Sequence, residues 1–115
     1  MAITLYGIAN CDTVKKARAW LDARGVAYAF HDYKKVGITA ATLREWTREV
    51  GWEVLLNRAG TTYRKLPDAD KANLDEAKAV ALMLAQPSMI RRPVVTGAGA
   101  LLIRFKPDLY QNAFA

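Results

Sequence analysis

A lone cysteine, Cys11, lies in the run Asn10-Cys11-Asp12-Thr13, and basic residues follow it at Lys15, Lys16 and Arg18. A short β-type segment precedes this run and an amphipathic helical one follows, so the thiol belongs at a strand-to-helix turn. Free amide N–H groups and the helix dipole put positive potential at such a turn, which lowers a thiol pKa and favours thiolate. Lys15, Lys16 and Arg18 add to the field where they point towards the loop. The same concavity can cradle an oxyanion. A thiolate beside an anion pocket is equipped to attack a disulfide or an oxyanion such as arsenate.

A C-x-x-C motif would put its second cysteine at position 14, where Val14 stands, and the chain has no other cysteine. Any disulfide that Cys11 forms must therefore be with another molecule, such as glutathione or a partner protein. The single cysteine also excludes an internal disulfide framework and, with only one histidine, a four-ligand Cys/His zinc centre. No metal site is expected. His31 ends a β-type segment, and nothing in the sequence ties it to the thiol. The acids Asp68, Asp70, Asp75 and Glu76 lack the spacing of a calcium loop and suit a helix start.

The elements that must position Cys11 are legible from periodicity. Ala2–Tyr6 reads as a strand ended by Gly7. Thr13–Arg24 reads as a helix with Val14, Ala17, Trp20 and Leu21 on one face, capped by Asp12 or Thr13 and stopped by Gly25. Val26–His31 alternates as a second strand. Strand, helix and strand over so short a span imply a parallel βαβ unit. Thr39 should cap a helix over Ala40–Val50 carrying Leu43, Trp46 and Val50, with one more helical turn at Glu53–Leu56 and a polar loop at Asn57–Lys65. Asp70–Leu84 reads as a single helix burying Leu74, Ala77, Ala81 and Leu84. Pro93–Thr96 and Ala100–Ile103 form a hairpin across Gly97-Ala98-Gly99, and Pro107 opens a terminal helix. The order β-α-β, helices, β-β-α predicts an α/β thioredoxin-like fold with a mixed sheet. A helical subdomain at about residues 38–88 is inserted within a single domain.

At 115 residues, 52% hydrophobic and 24% charged, the composition is that of one globular domain. No apolar run approaches the ~20 residues of a membrane span, and the N-terminus lacks signal-peptide character. A reducing, cytoplasmic location is expected, with neither membrane nor nucleic acid as partner and the chain a monomer. Trp20 and Trp46 fall on helical stripes and read as core, not as stacking platforms for bases. The formal charge of +6 is better read as residues placed around the thiol than as a nucleic-acid footprint.

The segments YGIANCDTVKKARAWLDARGVAYAFHDYKKVGI, GWEVLLNRAGTTYRKL and IRRPVV together resemble the arsenate reductase-like (ArsC/Spx) family, most of all its YffB-type ArsC-related members. The likeness runs from about Ile3 to Phe114. It implies the same thioredoxin-like fold with a helical insertion, and it implies that Cys11 is the nucleophile. The family's reductases hold their oxyanion with three arginines. Arg92, before Pro93, matches one; Asn57, with Arg58 beside it, occupies the second position, and Lys106 the third. Lys is not equivalent to Arg for bidentate oxyanion binding, so weak or absent arsenate reduction is expected. The YffB-type likeness implies a glutathione-dependent thiol reductase without bound cofactor. Glutathione would be co-substrate, against a glutathionylated or disulfide substrate, and a glutaredoxin is a further candidate partner. Lys15, Arg58 and Arg92 would contact glutathione carboxylates, with Asn10 and Thr13 shaping the loop. Pro93 corresponds to the thioredoxin fold's cis-proline, so a cis Arg92–Pro93 bond is expected, holding Arg92 close to Cys11. The rival implication is an Spx-like regulator that contacts RNA polymerase without catalysis. Such regulators usually carry C-x-x-C, which Val14 interrupts here.

Overall fold

The first strand, β1 (Thr4–Gly7), leads through a short loop into helix α1 (Asp12–Ala23) and then into β2 (Ala29–Asp32), which pairs with β1 in parallel. The computed structural model describes residues 2–115. Helices α2 (Ala40–Val50), α3 (Trp52–Leu55), α4 (Thr61–Arg64), α5 (Asp68–Lys71) and α6 (Glu76–Ala85) follow, then β3 (Val94–Thr96), β4 (Leu102–Ile103) and α7 (Pro107–Ala113). The strands form one mixed sheet in the order β2-β1-β3-β4, with β3 antiparallel to both β1 and β4. This is the predicted thioredoxin-like plan.

The chain divides into two compact units. One comprises the chain up to Val36 together with Arg92–Ala115, and the other is Gly37–Arg91. In the first, Leu5 and Val95 of the sheet pack with Val14, Ala17 and Leu21 of α1 and Tyr110 of α7, all fully buried. Trp20, expected in the core, is half-buried: it packs edge-on against Tyr110 at the margin of that core, ring centres 5.6 Å apart. In the second unit Thr39 caps α2 by accepting the N–H of Thr42, and Leu43, Trp46 and Thr47 are buried beneath it. The Thr47 hydroxyl donates to the carboxylate of Glu76 at 2.8 Å, tying α2 to α6.

Three expectations need correction. The predicted helix Asp70–Leu84 is two helices: Asn73 takes a left-handed conformation with φ 54° and breaks the run. Asp75 then caps α6 by accepting the N–H of Lys78. Restarting the helix there rotates the buried face onto Ala79, Val80 and Met83, and leaves Leu84 exposed. Likewise, the segment read as polar loop holds the single helical turn α4. The second strand starts later than predicted because Val26 still belongs to the end of α1. Gly25, at φ 67°, lets the Val26 N–H return to Leu21 O (3.0 Å) and the Gly25 N–H to Asp22 O (3.1 Å), a Schellman closure.

Gly97 is required by its surroundings. Its φ is 91°, and a Cβ there would stand 1.9 Å from the Ala2 carbonyl oxygen, a backbone atom. Gly97→Ala should therefore cost about 3 kcal/mol of stability, from strain and displacement of the chain before β1. Urea denaturation checks this, and a loss below about 1 kcal/mol, the size of an ordinary surface change, would contradict it.

Candidate functional site

The register of the sheet decides which residues meet at the C-terminal end of β1. On one side Gly7 pairs with Asp32, the last residue of β2, and the Tyr33 N–H donates to Gly7 O at 3.1 Å. On the other side Tyr6 pairs with Val94, so Arg92 and Pro93, which enter β3, lie beside the same end. The loop from β1 to α1 delivers Cys11 there. Three distant parts of the chain thus converge on the thiol.

Cys11 is itself the N-cap residue of α1, with extended backbone (φ −134°, ψ 124°), where Asp12 or Thr13 was expected. Its carbonyl accepts the Lys15 N–H at 2.9 Å. The side chain is half-buried, and the guanidinium of Arg92 donates from Nε to Sγ at 3.4 Å. Partial burial pushes the thiol pKa up. The Arg92 hydrogen bond, the Val14 N–H, the Arg92 charge and the Thr13 N–H act the other way and prevail, so the pKa lies below the ordinary thiol value. The Arg92–Pro93 peptide is cis, as expected.

The cation acting on the sulfur is thus Arg92, not the basic residues of α1. Arg18 turns to β2, where it donates to the Tyr28 hydroxyl at 3.0 Å and stacks 4.2 Å from the centre of the Phe30 ring. Lys15 and Lys16 are exposed. Asn10 is exposed in the turn before the helix, and Thr13 occupies its first turn. Arg58 belongs to the second unit, exposed with its guanidinium 5.6 Å from the Trp52 ring centre. Asn57 spends its side-chain oxygen on the Ala59 N–H at 3.1 Å, and Lys106 is the N-cap of α7. His31 packs at a tilt against Tyr6, ring centres 4.8 Å apart.

Sequence reasoning missed Tyr33. Its phenol is 1% exposed, and the hydroxyl makes no hydrogen bond of full geometry. Burial raises its pKa far above the usual tyrosine range, and the charges of Arg92, Cys11 and Asp32 all bear on it. The residue stood within the HDYKK motif, but its one visible signal was its place just past a strand end. Among the described residues no cluster of His, Cys, Asp and Glu could hold a metal, and no helix is long and apolar enough to cross a membrane.

The chain as a whole is similar to known proteins. A solved structure of a YffB protein is 62% identical, with a TM-score of 0.96, covering 99% of this chain and 100% of its own. An arsenate reductase (ArsC) related protein from Brucella melitensis is 56% identical, with a TM-score of 0.78 over 99% of this chain and 95% of its own. The global transcriptional regulator Spx 1 of Lactococcus lactis is 31% identical over 109 residues, which span 92% of this chain and 84% of the regulator. The sequence profile of the ArsC family matches residues 6–113. With nearly its whole length matched and the thiol at the head of α1 facing an Arg-Pro pair, the chain is a member of the ArsC family.

Proposed function

We propose that the protein is a glutathione-dependent thiol reductase working through one nucleophilic cysteine. The observation that carries this reading is the Arg92 Nε–H on Cys11 Sγ at 3.4 Å, in a chain with no second cysteine. The Cys11 thiolate attacks the glutathione sulfur of a mixed disulfide, forming a Cys11–glutathione disulfide and releasing the substrate thiolate, which takes a proton from water. A glutathione thiolate then attacks that bond at its glutathione sulfur, yielding glutathione disulfide and restoring the Cys11 thiolate. In sum, one glutathione thiol and the mixed disulfide become the substrate thiol and glutathione disulfide, with the number of disulfide bonds unchanged. Arg92 and the first N–H groups of α1 hold negative charge on the Cys11 sulfur whenever it is the leaving group. Lys15, exposed one turn into α1, offers its ammonium to a glutathione carboxylate, while Asn10 and Thr13 border the loop. Such chemistry suits the cytoplasm, where a lone thiol stays reduced.

The test is turnover of a glutathionylated peptide with reduced glutathione as the only reductant, read by release of the peptide thiol. Turnover with saturation in the peptide supports the reading, and a rate equal to the uncatalysed exchange refutes it. Arsenate in the same assay should give no more than trace turnover. The side-chain oxygen of Asn57 is committed to the Ala59 N–H, and Lys106 lacks the guanidinium fork. Robust arsenate turnover would contradict this.

The second reading is a regulator that contacts RNA polymerase, favoured by the likeness to Spx 1. It requires binding to polymerase that is indifferent to Cys11→Ser, which a pull-down with both proteins decides.

A further inference from the structure

The sheet gathers positive charge at one end. The unit that holds Cys11 carries nine Lys and Arg against four Asp and no Glu, which is +5 of the formal charge of +6. β1 and β2 run in parallel and both end where the thiol stands, and α1 starts there on its way back. β3 runs the other way and enters at that end, and β4 leaves at it. Lys15 and Lys16 therefore lie on the near half of α1, and Lys34 and Lys35 in the turn after β2, all four exposed. The Arg104 N–H donates to Pro93 O at 2.8 Å, which fixes exposed Arg104 beside the peptide that carries Arg92. Lys106, also exposed, follows at the start of α7. Arg24 closes α1 at the far end, and Arg18 lies along β2. The acids do not balance this end. Asp22 lies in the far half of α1, and Asp32 is buried with its carboxylate accepting the Lys34 N–H at 3.0 Å. Only Asp12 and Asp108 are left as exposed carboxylates there.

Adjacent strands stand about 4.8 Å apart, so this face extends about 14 Å from the end of β2 to the end of β4. An extended tripeptide spans only about 10 Å, and the carboxylates of glutathione are partly offset by its own ammonium. The face is wider and more strongly charged than one glutathione can cover. We propose that it recognises the polypeptide half of the mixed disulfide, and that the substrate is a protein segment rich in Asp and Glu around its glutathionylated cysteine. The proposal rests on the thiol-reductase reading and names its substrate class. The same face offers apolar contacts that suit a polypeptide and not a nucleic acid. Val36, next to Lys35, stands 73% exposed. Beside Lys106, Phe105, Pro107 and Leu109 line an open cleft of about 680 Å³, room enough for an apolar side chain. Charge of this kind acts by steering encounter, so it raises kcat/KM for a complementary partner and fades as salt is added.

The experiment measures kcat/KM for two glutathionylated peptides that differ only in carrying Glu or Gln at the positions around the cysteine. The glutathione step is common to both and cancels in the comparison. At about 20 mM salt, where the screening length is about 20 Å, the Glu peptide should be favoured about tenfold or more. At about 0.5 M, where that length is about 4 Å, the preference should fall below about twofold. Two charge reversals then locate the effect, since Lys35→Glu and Arg24→Glu change the net charge equally at opposite ends of the sheet. Lys35→Glu should slow the Glu peptide about fivefold at low salt and leave the Gln peptide unchanged, while Arg24→Glu should slow it less than about twofold. Equal turnover of the two peptides at low salt overturns the substrate class while leaving the reductase reading intact. Equal slowing by the two reversals overturns the assignment to this face. Turnover of neither peptide above the uncatalysed exchange removes the reductase reading and the proposal together.

Discussion

Cys11→Ser should reduce turnover of a glutathionylated substrate by on the order of a thousandfold or more, to the uncatalysed background, because no other thiol in the chain can carry the exchange. The fold should survive, since the side chain is only half-buried and serine is close to it in shape. What changes is the pH dependence of stability. The folded-state thiol pKa is lowered, so the stabilisation of the wild-type thiolate is complete above the unfolded-state value of about 8.5 and is lost as the pH falls through the folded value. The wild type should therefore gain stability relative to Cys11→Ser as the pH rises across that window. Urea midpoints at several pH values check the sign, and a constant difference would mean that the thiol is not perturbed in the fold.

Arg92→Ala should have the next largest effect. It removes both the Nε–H donor at 3.4 Å and the nearest positive charge, while the partial burial that opposes ionisation remains. The thiol pKa should return to about 8.5 or above. The rate does not follow the thiolate fraction alone. Each unit of increase in pKa reduces the thiolate at neutral pH about tenfold but makes the remaining thiolate roughly threefold more nucleophilic, so alkylation slows only about threefold per unit. The midpoint of the pH profile is for that reason the better readout than a single rate. Arg92→Lys should fall between the two, keeping the charge but losing the planar fork. An unchanged midpoint in Arg92→Ala would show that the α1 N–H groups alone depress the thiol.

Local signals made much of the framework legible. Gly25 closes α1 with a left-handed backbone and Pro107 opens α7, and each acts through backbone geometry that neighbouring residues cannot override. The helical insertion was harder. Asp68, Asp70 and Asp75 are all competent caps, and only packing in the folded chain selects Asp75 and breaks the run at Asn73. That choice shifted the buried face by a residue or two, a large error for a 3.6-residue period. Cys11 could be singled out because a strand-to-helix turn is a local feature. Arg92 could not be joined to it by any local rule, being 81 residues away, and it was the family resemblance that pointed to it. Tyr33 escaped both routes. Its burial depends on the register of β2 against β1, which sets where the strand ends and which side chain turns inwards.

The central claim is that Cys11 is a reactive thiolate whose disulfide must be resolved from outside. Intact-mass spectrometry after incubation with oxidised glutathione, followed by reduced glutathione, tests it most directly. The account predicts one glutathione adduct per chain, located at Cys11 by peptide mapping and removed by the second incubation. A protein that remains unmodified under conditions that modify a free cysteine peptide would contradict it.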